Sequence, residues 1–229
     1  MLKKGENILL ATYIMSDIHG EYDLYKKMKD KIQFNTQTDT LYIIGDIADR
    51  GYDGVRIYKD ILEYRKSIFM LRGNHDQMLL DTFKSKRESD RKLWINCGGI
   101  ETLHSVLHLE IEEREEILKL IEDSPTFIEL QVGENKFHLV HGKPSFEDYS
   151  RIWGRIDFNA DYSDIVGDRT IVFGHTPVWH YSRNYKEKAS IIHKNNMICI
   201  DCGSGHKFNM ARLACLRLDD FEEFYVDYD

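Results

Sequence analysis

Five short stretches of the 229-residue sequence set acidic, amide and imidazole side chains beside a glycine. They are Asp17-Ile18-His19-Gly20, Gly45-Asp46-Ile47-Ala48-Asp49-Arg50-Gly51, Gly73-Asn74-His75-Asp76, His141-Gly142 and Gly174-His175-Thr176-Pro177. Carboxylate, imidazole and amide oxygen together suit borderline divalent metals such as manganese, iron or zinc. One carboxylate shared by two ions allows a pair about 3.5–4 Å apart, a layout that hydrolyses phosphate esters. None of the five contains cysteine, which speaks against a structural zinc site. Taken singly, a His-Gly pair is more often structural, and Asn74-His75 ahead of a helix would serve as a cap. Five such motifs in one order, with consistent chemistry, are not what capping and core satisfaction alone produce.

Each motif closes a predicted strand. Apolar runs predict strands over 8–15, 41–44 and 67–71. Leu24, Met28 and Ile32 predict a helix over 21–32; Val55, Tyr58, Ile61 and Leu62 predict another over 53–64. A third helix is expected to start over 77–83. Strand–helix alternation at this spacing implies parallel pairing with right-handed crossovers. Ligand sites in such sheets lie at the carboxyl ends of strands, where the five motifs fall. From 85 to 123 the chain reads as charged helix, with 112–119 a solvated face. Segments 126–132 and 136–140 flank Gly133-Glu134-Asn135, a hairpin signal. Strands are expected over 170–173, 191–193, 197–200 and 213–218, with a tight turn at Asn195-Asn196. The fold class is therefore α/β: a sandwich of two sheets, the second mixed or antiparallel, with helices outside.

Composition narrows the function. A net charge of −8 argues against a nucleic-acid backbone as partner, and 12% aromatic residues argue against disorder. The longest uncharged apolar run, 8–15, is far short of the roughly 18–20 residues that span a bilayer. It runs into the first motif without a cleavage site, so a strand, not a signal peptide, is expected. Cys199 and Cys202 form C-x-x-C inside a predicted strand, where small core residues are expected, and a reducing cytoplasm follows as the default.

The motifs stand in the sequence as SDIHG (16–20), GDIADRG (45–51), GNHD (73–76), HG (141–142) and GHTP (174–177). In this order they resemble the signatures of the metallo-dependent phosphoprotein phosphatases, whose fold is the calcineurin-like metallophosphoesterase sandwich. Trp94-Ile95-Asn96-Cys97-Gly98-Gly99-Ile100-Glu101-Thr102-Leu103 resembles the W-x-x-N-G-G-x-x-T-L segment of short bacterial and phage members. Ser16, Lys143-Pro144 and Cys202 depart from the usual pattern without touching an implied ligand.

The resemblance implies one catalytic domain over 1–229 with a helical insert at about 77–125. It implies that Asp17 and His19 hold one metal, that Asp46 bridges two, and that Asn74, His141 and His175 hold the second. Manganese is expected first, with iron, zinc or nickel as alternatives. A hydroxide bridging the ions would attack phosphorus in line. His75 would protonate the leaving group, Asp49 would orient His75, and Arg50 would bind phosphate oxygens. A second phosphate-binding arginine is expected among Arg151, Arg155 and Arg169. Ile152-Trp153-Gly154-Arg155 resembles the family's L-W-x-R, so Arg155 is chosen. Asp76 is expected to support the helix start rather than to act in catalysis.

The substrate implied is a phosphoserine or phosphothreonine protein or peptide, with phosphotyrosine within range. The alternatives are a symmetrical diadenosine tetraphosphate hydrolase, a phosphodiesterase, or a pseudoenzyme that binds phosphopeptides without turnover. No nucleic acid or membrane partner is expected. His104 and His108, spaced i, i+4 with no third ligand near, read as a solvated face. His138, alternating with Phe137 and Leu139, is expected to point away from the core. His180, His193 and His206 have no motif around them, and Trp153, Trp179 and Tyr181 flank the late motifs.

Overall fold

The computed structural model describes residues 10–229. Strand β1 (Thr12–Met15), helix α1 (Tyr22–Lys31), β2 (Thr40–Ile44), α2 (Gly54–Glu63) and β3 (Ile68–Leu71) alternate as expected. Positions 8 and 9 of the expected first strand lie outside the described residues. β1 pairs parallel with β2, and β2 with β3. Both faces of these strands are covered. Tyr13, Met15, Leu41 and Ile43 pack in one core with Leu24 and Met28 of α1 and Ile57 and Ile61 of α2. Ile14 and Ile44 pack in a second core, against the other sheet. Coverage on both sides is why these strands read as continuous apolar runs.

Four helices follow: α3 (Asn74–Ser85), α4 (Glu88–Asn96), α5 (Ile100–Leu107) and α6 (Ile111–Asp123). α3 begins three residues before the predicted start. The fully buried Asp76 carboxylate accepts N–H bonds from Gly73 (2.8 Å), Asp46 (2.9 Å) and Ile47 (3.2 Å), and the Tyr58 hydroxyl. These bonds close the first turn at Gly73, which places Asn74 and His75 inside the helix rather than ahead of it.

The chain continues through β4 (Phe127–Val132), β5 (Asn135–Val140), α7 (Asp148–Trp153), α8 (Ser163–Val166), β6 (Thr170–Phe173), α9 (Trp179–Ser182), β7 (Ile192–Lys194), β8 (Met197–Cys199), β9 (Arg212–Arg217) and β10 (Glu223–Asp227). Two mixed sheets result, ordered β10-β9-β1-β2-β3 and β4-β5-β6-β8-β7. They pack face to face with helices outside, the sandwich that the sequence implied. Asn195 and Asn196 turn between β7 and β8 with φ of 51° and 59°, as a primed two-residue turn requires. α7, α8, α9 and β10 were not foreseen. β10 is an edge strand whose Phe224 and Val226 pack inward between charged neighbours.

His138 overturns its expectation. It is 3% exposed, stacks on Phe127 at 5.2 Å and lies 3.3 Å from the Glu129 carboxylate, because β5 is an interior strand covered on both faces. Cys199 and Cys202 are free, buried thiols. No helix among the described residues is long and apolar enough to cross a membrane.

Candidate metal centre

The turns after β1, β2, β3, β5 and β6 meet at one end of the sandwich. Asp17, His19, Asp46, Asp49, Arg50 and His175 all have φ between 50° and 74°. Left-handed backbone costs a non-glycine residue about 1–2 kcal/mol. Its concentration on these residues is strain held where side chains must be aimed.

Two groups of ligand atoms form there: His19, Asp46 and His75, and Asp46, His141 and His175. Asp46 belongs to both. Its Oδ2 lies 3.3 Å from His141 Nε2 and 3.8 Å from His19 Nε2. Asn74 Oδ1 lies 3.1 Å from His141 Nε2 and 2.9 Å from His175 Nδ1. Asp17 stands outside both groups: its carboxylate accepts bonds from the His175 N–H and the Ser16 hydroxyl, so Ser16, contrary to expectation, does touch an implied ligand. A Cβ on Gly73 would collide with the Asp46 carboxylate, so the third motif needs its glycine for close approach.

The donor set fits divalent cations. His19 Nδ1 faces the Ala48 carbonyl at 3.1 Å, and His141 Nδ1 faces the Ile44 carbonyl at 2.9 Å. A carbonyl only accepts, so each Nδ1 carries a proton and each Nε2 is the nitrogen left to ligate a cation beside Asp46. That tautomer is the one a metal-ligating histidine takes. Charge agrees. Burial and the Asp46 charge raise Asp17 to about 6 despite His141. Burial lowers His141, but Asp46 outweighs it and pushes His141 up to about 10. A divalent cation would relieve the first repulsion and replace the proton in the second pair.

Beside these groups, His75 Nδ1 bonds the Asp49 carboxylate at 2.7 Å, and Arg50 Nη2 lies 3.3 Å from His75 Nε2. Burial and Arg50 depress His75, yet Asp46 and Asp49 leave it raised.

The calcineurin-like phosphoesterase profile matches residues 10–207. The chain belongs to that family. As a metallophosphoesterase it is a hydrolase. It is 27% identical to serine/threonine-protein phosphatase 2 of Salmonella typhimurium over 87% of this chain and 90% of that protein. It is 31% identical to a symmetrical bis(5'-nucleosyl)-tetraphosphatase of Wigglesworthia glossinidia brevipalpis, over 48% of this chain and 44% of that protein. The chain thus spans less than half the length of the latter relative. In fold it is similar to a putative diadenosine tetraphosphatase, with a TM-score of 0.67, 17% identity and coverage of 97% and 95% of the two chains.

Three residues of α4, α5 and the turn between them, unassigned in the sequence reading, hold the second motif in place. Trp94 Nε1 donates to Asp49 Oδ2 (2.8 Å), Thr102 Oγ1 accepts the Asp49 N–H (2.9 Å), and the Gly98 carbonyl accepts the Arg50 N–H (2.9 Å). The W-x-x-N-G-G-x-x-T-L segment carried them as a likeness, without their partners. Asp49 and Trp94 are fully buried, and Asp49 Oδ1 has no hydrogen-bond partner among the described residues. Trp94→Phe is therefore expected to cost about 1–3 kcal/mol by removing a donor to a buried charge. Urea unfolding checks this, and an unchanged midpoint would refute it.

The three candidate arginines differ in their packing. Arg151 donates to the Ser145 carbonyl (2.7 Å) and Asp148 (2.7 Å), and covers Phe127 at 4.3 Å. Arg169 pairs with Glu129 at 3.0 Å. Arg155 is exposed and has no ion pair among the described residues, while its charge helps burial and His141 lower His175 to about 3. Arg155→Ala is expected to raise the KM for a phosphomonoester about tenfold at unchanged stability. Arg151→Ala should instead lower the melting temperature. Steady-state kinetics and thermal unfolding of both variants separate the roles, and the reverse pattern would move the assignment to Arg151. His104 and His108 are exposed, and His193 pairs with Glu223 at 2.8 Å.

Proposed function

We propose that the chain is a phosphoprotein phosphatase, cleaving phosphoserine and phosphothreonine monoesters, with phosphotyrosine within reach. The observation that carries this reading is the Asp49–His75–Arg50 constellation beside two ligand groups sharing Asp46. Likeness along 87% of the chain to a serine/threonine-protein phosphatase supports it. Asp17, His19 and Asp46 would hold one divalent ion, and Asp46, Asn74, His141 and His175 the other, manganese first among the candidates. When bound, the ions would lend positive charge to the phosphate oxygens and acidify the attacking water. Arg50 and Arg155 grip the remaining phosphate oxygens. His75, held by Asp49 at Nδ1, delivers a proton from Nε2 to the departing alkoxide. In this reading the chain acts as one catalytic domain with the helices at about 77–125 as its insert, working in the cytoplasm.

A second reading, symmetrical dinucleoside tetraphosphate hydrolysis, is favoured by the 31% identical relative. Product formation after chelation and manganese add-back decides between them: phosphate released from a phosphothreonine and a phosphotyrosine peptide, and ADP formed from diadenosine tetraphosphate. Metal-dependent turnover of peptides well above the dinucleotide is expected. Preference for the dinucleotide would overturn the phosphoprotein reading, and silence on all three with metal bound would overturn both.

A further inference from the structure

Arg50 has a second partner that the sequence motifs do not contain. Its Nη1 lies 3.0 Å from His206 Nε2, while its Nη2 lies 3.3 Å from His75 Nε2. A guanidinium only donates, so His206 Nε2 accepts from Arg50 and His206 carries its proton on Nδ1. Each terminal nitrogen of arginine has two N–H bonds. With one N–H of Nη1 directed to His206, the other N–H of Nη1 and those of Nη2 remain for a pair of phosphate oxygens.

His206 is itself held on several sides. Its ring meets Trp179 edge-to-face at 5.5 Å and stacks on Phe208 at 5.7 Å. Trp179 is buried and lies against Gly203, whose φ of +81° and contact with the indole leave no room for a side chain. The turn beneath is tied down by His206 N–H to the Gly203 carbonyl (3.1 Å), Ser204 hydroxyl to the Ile18 carbonyl (3.1 Å) and Gly205 N–H to the Tyr228 hydroxyl (2.7 Å). A rigid acceptor thus stands where the otherwise flexible arginine must end.

We infer that His206 is a positioning residue that fixes the Arg50 guanidinium for two-point binding of the substrate phosphate. The inference rests on the phosphatase reading above and adds a determinant of phosphate affinity to that site. An arginine that must be ordered on binding gives up rotamer entropy worth roughly a tenfold loss in affinity, and His206 removes that loss beforehand.

The test measures KM for p-nitrophenyl phosphate and the competitive inhibition constant of inorganic phosphate in the manganese-loaded protein. His206→Phe keeps an aromatic ring between Trp179 and Phe208 but has no acceptor; His206→Gln restores an acceptor. His206→Phe is expected to raise both constants about tenfold with kcat and metal content little changed, and His206→Gln to recover most of the loss. In an Arg50→Ala background, His206→Phe should add less than about twofold, since contacting residues are coupled. Equal constants for wild type and His206→Phe would overturn the inference, as would a tenfold effect that persists without Arg50. A wild-type protein with no metal-dependent phosphate release would instead refute the underlying phosphatase reading.

Discussion

Asp46→Asn is expected to strip both metal positions and abolish turnover, the largest single effect in the molecule. Asp46 is the one residue shared by the two ligand groups. Its Oδ2 faces His141 and His19, and its Oδ1 accepts the His75 N–H at 3.0 Å, so its side chain is fixed and 2% exposed. An asparagine keeps the shape and can keep the His75 bond. It presents one neutral oxygen where two charged ones stood, and its NH2 cannot ligate. Losing an outer-shell partner typically costs 10–100-fold in metal affinity. Loss of a charged ligand common to both positions should exceed that for each. Elemental analysis after gel filtration is expected to fall from two metals per chain to well below one, with circular dichroism unchanged. Two metals retained would remove Asp46 from the shared position.

What the sequence could and could not disclose follows from the range of the interactions. Strands β1 to β3 and helices α1 and α2 were legible because burial imposes a local period: Leu24 and Met28 fall on one face, and Ile43 and Ile44 on the two sides of one strand. The motifs were legible because their glycines sit beside the ligands in the chain. The left-handed backbone of Asp17, His19, Asp46 and His175 was not, since Asp and His tolerate that conformation without requiring it; the packing of five strand ends imposes it. Trp94 reaches Asp49 across 45 positions, and His206 reaches Arg50 across 156. No spacing rule spans such distances. His138 failed for a related reason: alternation shows that two faces exist, and only tertiary packing shows that both are covered. β10 was missed because Glu223 and Asp227 bracket its apolar pair, as suits an edge strand with charged ends.

His75→Asn is expected to retain both metals and lower kcat about 10²–10⁴-fold, the usual contribution of a general acid. His75 sits among the atoms of the first ligand group, so geometry alone leaves it two roles: ligand or acid. Its Nδ1 is committed to Asp49 at 2.7 Å, and the Asp46 and Asp49 charges leave it raised against burial, which suits a proton donor. An asparagine amide has no proton to give near neutral pH. The leaving group separates the roles. Serine departs as a poor alkoxide that needs protonation, whereas p-nitrophenol departs readily without it. The defect should therefore be much larger on a phosphoserine peptide than on p-nitrophenyl phosphate. A ligand role would give the opposite pattern, with metal lost and both substrates slowed equally, because every phosphate depends on the same cations. Metal content together with the ratio of the two kcat values thus assigns His75 to one role or the other.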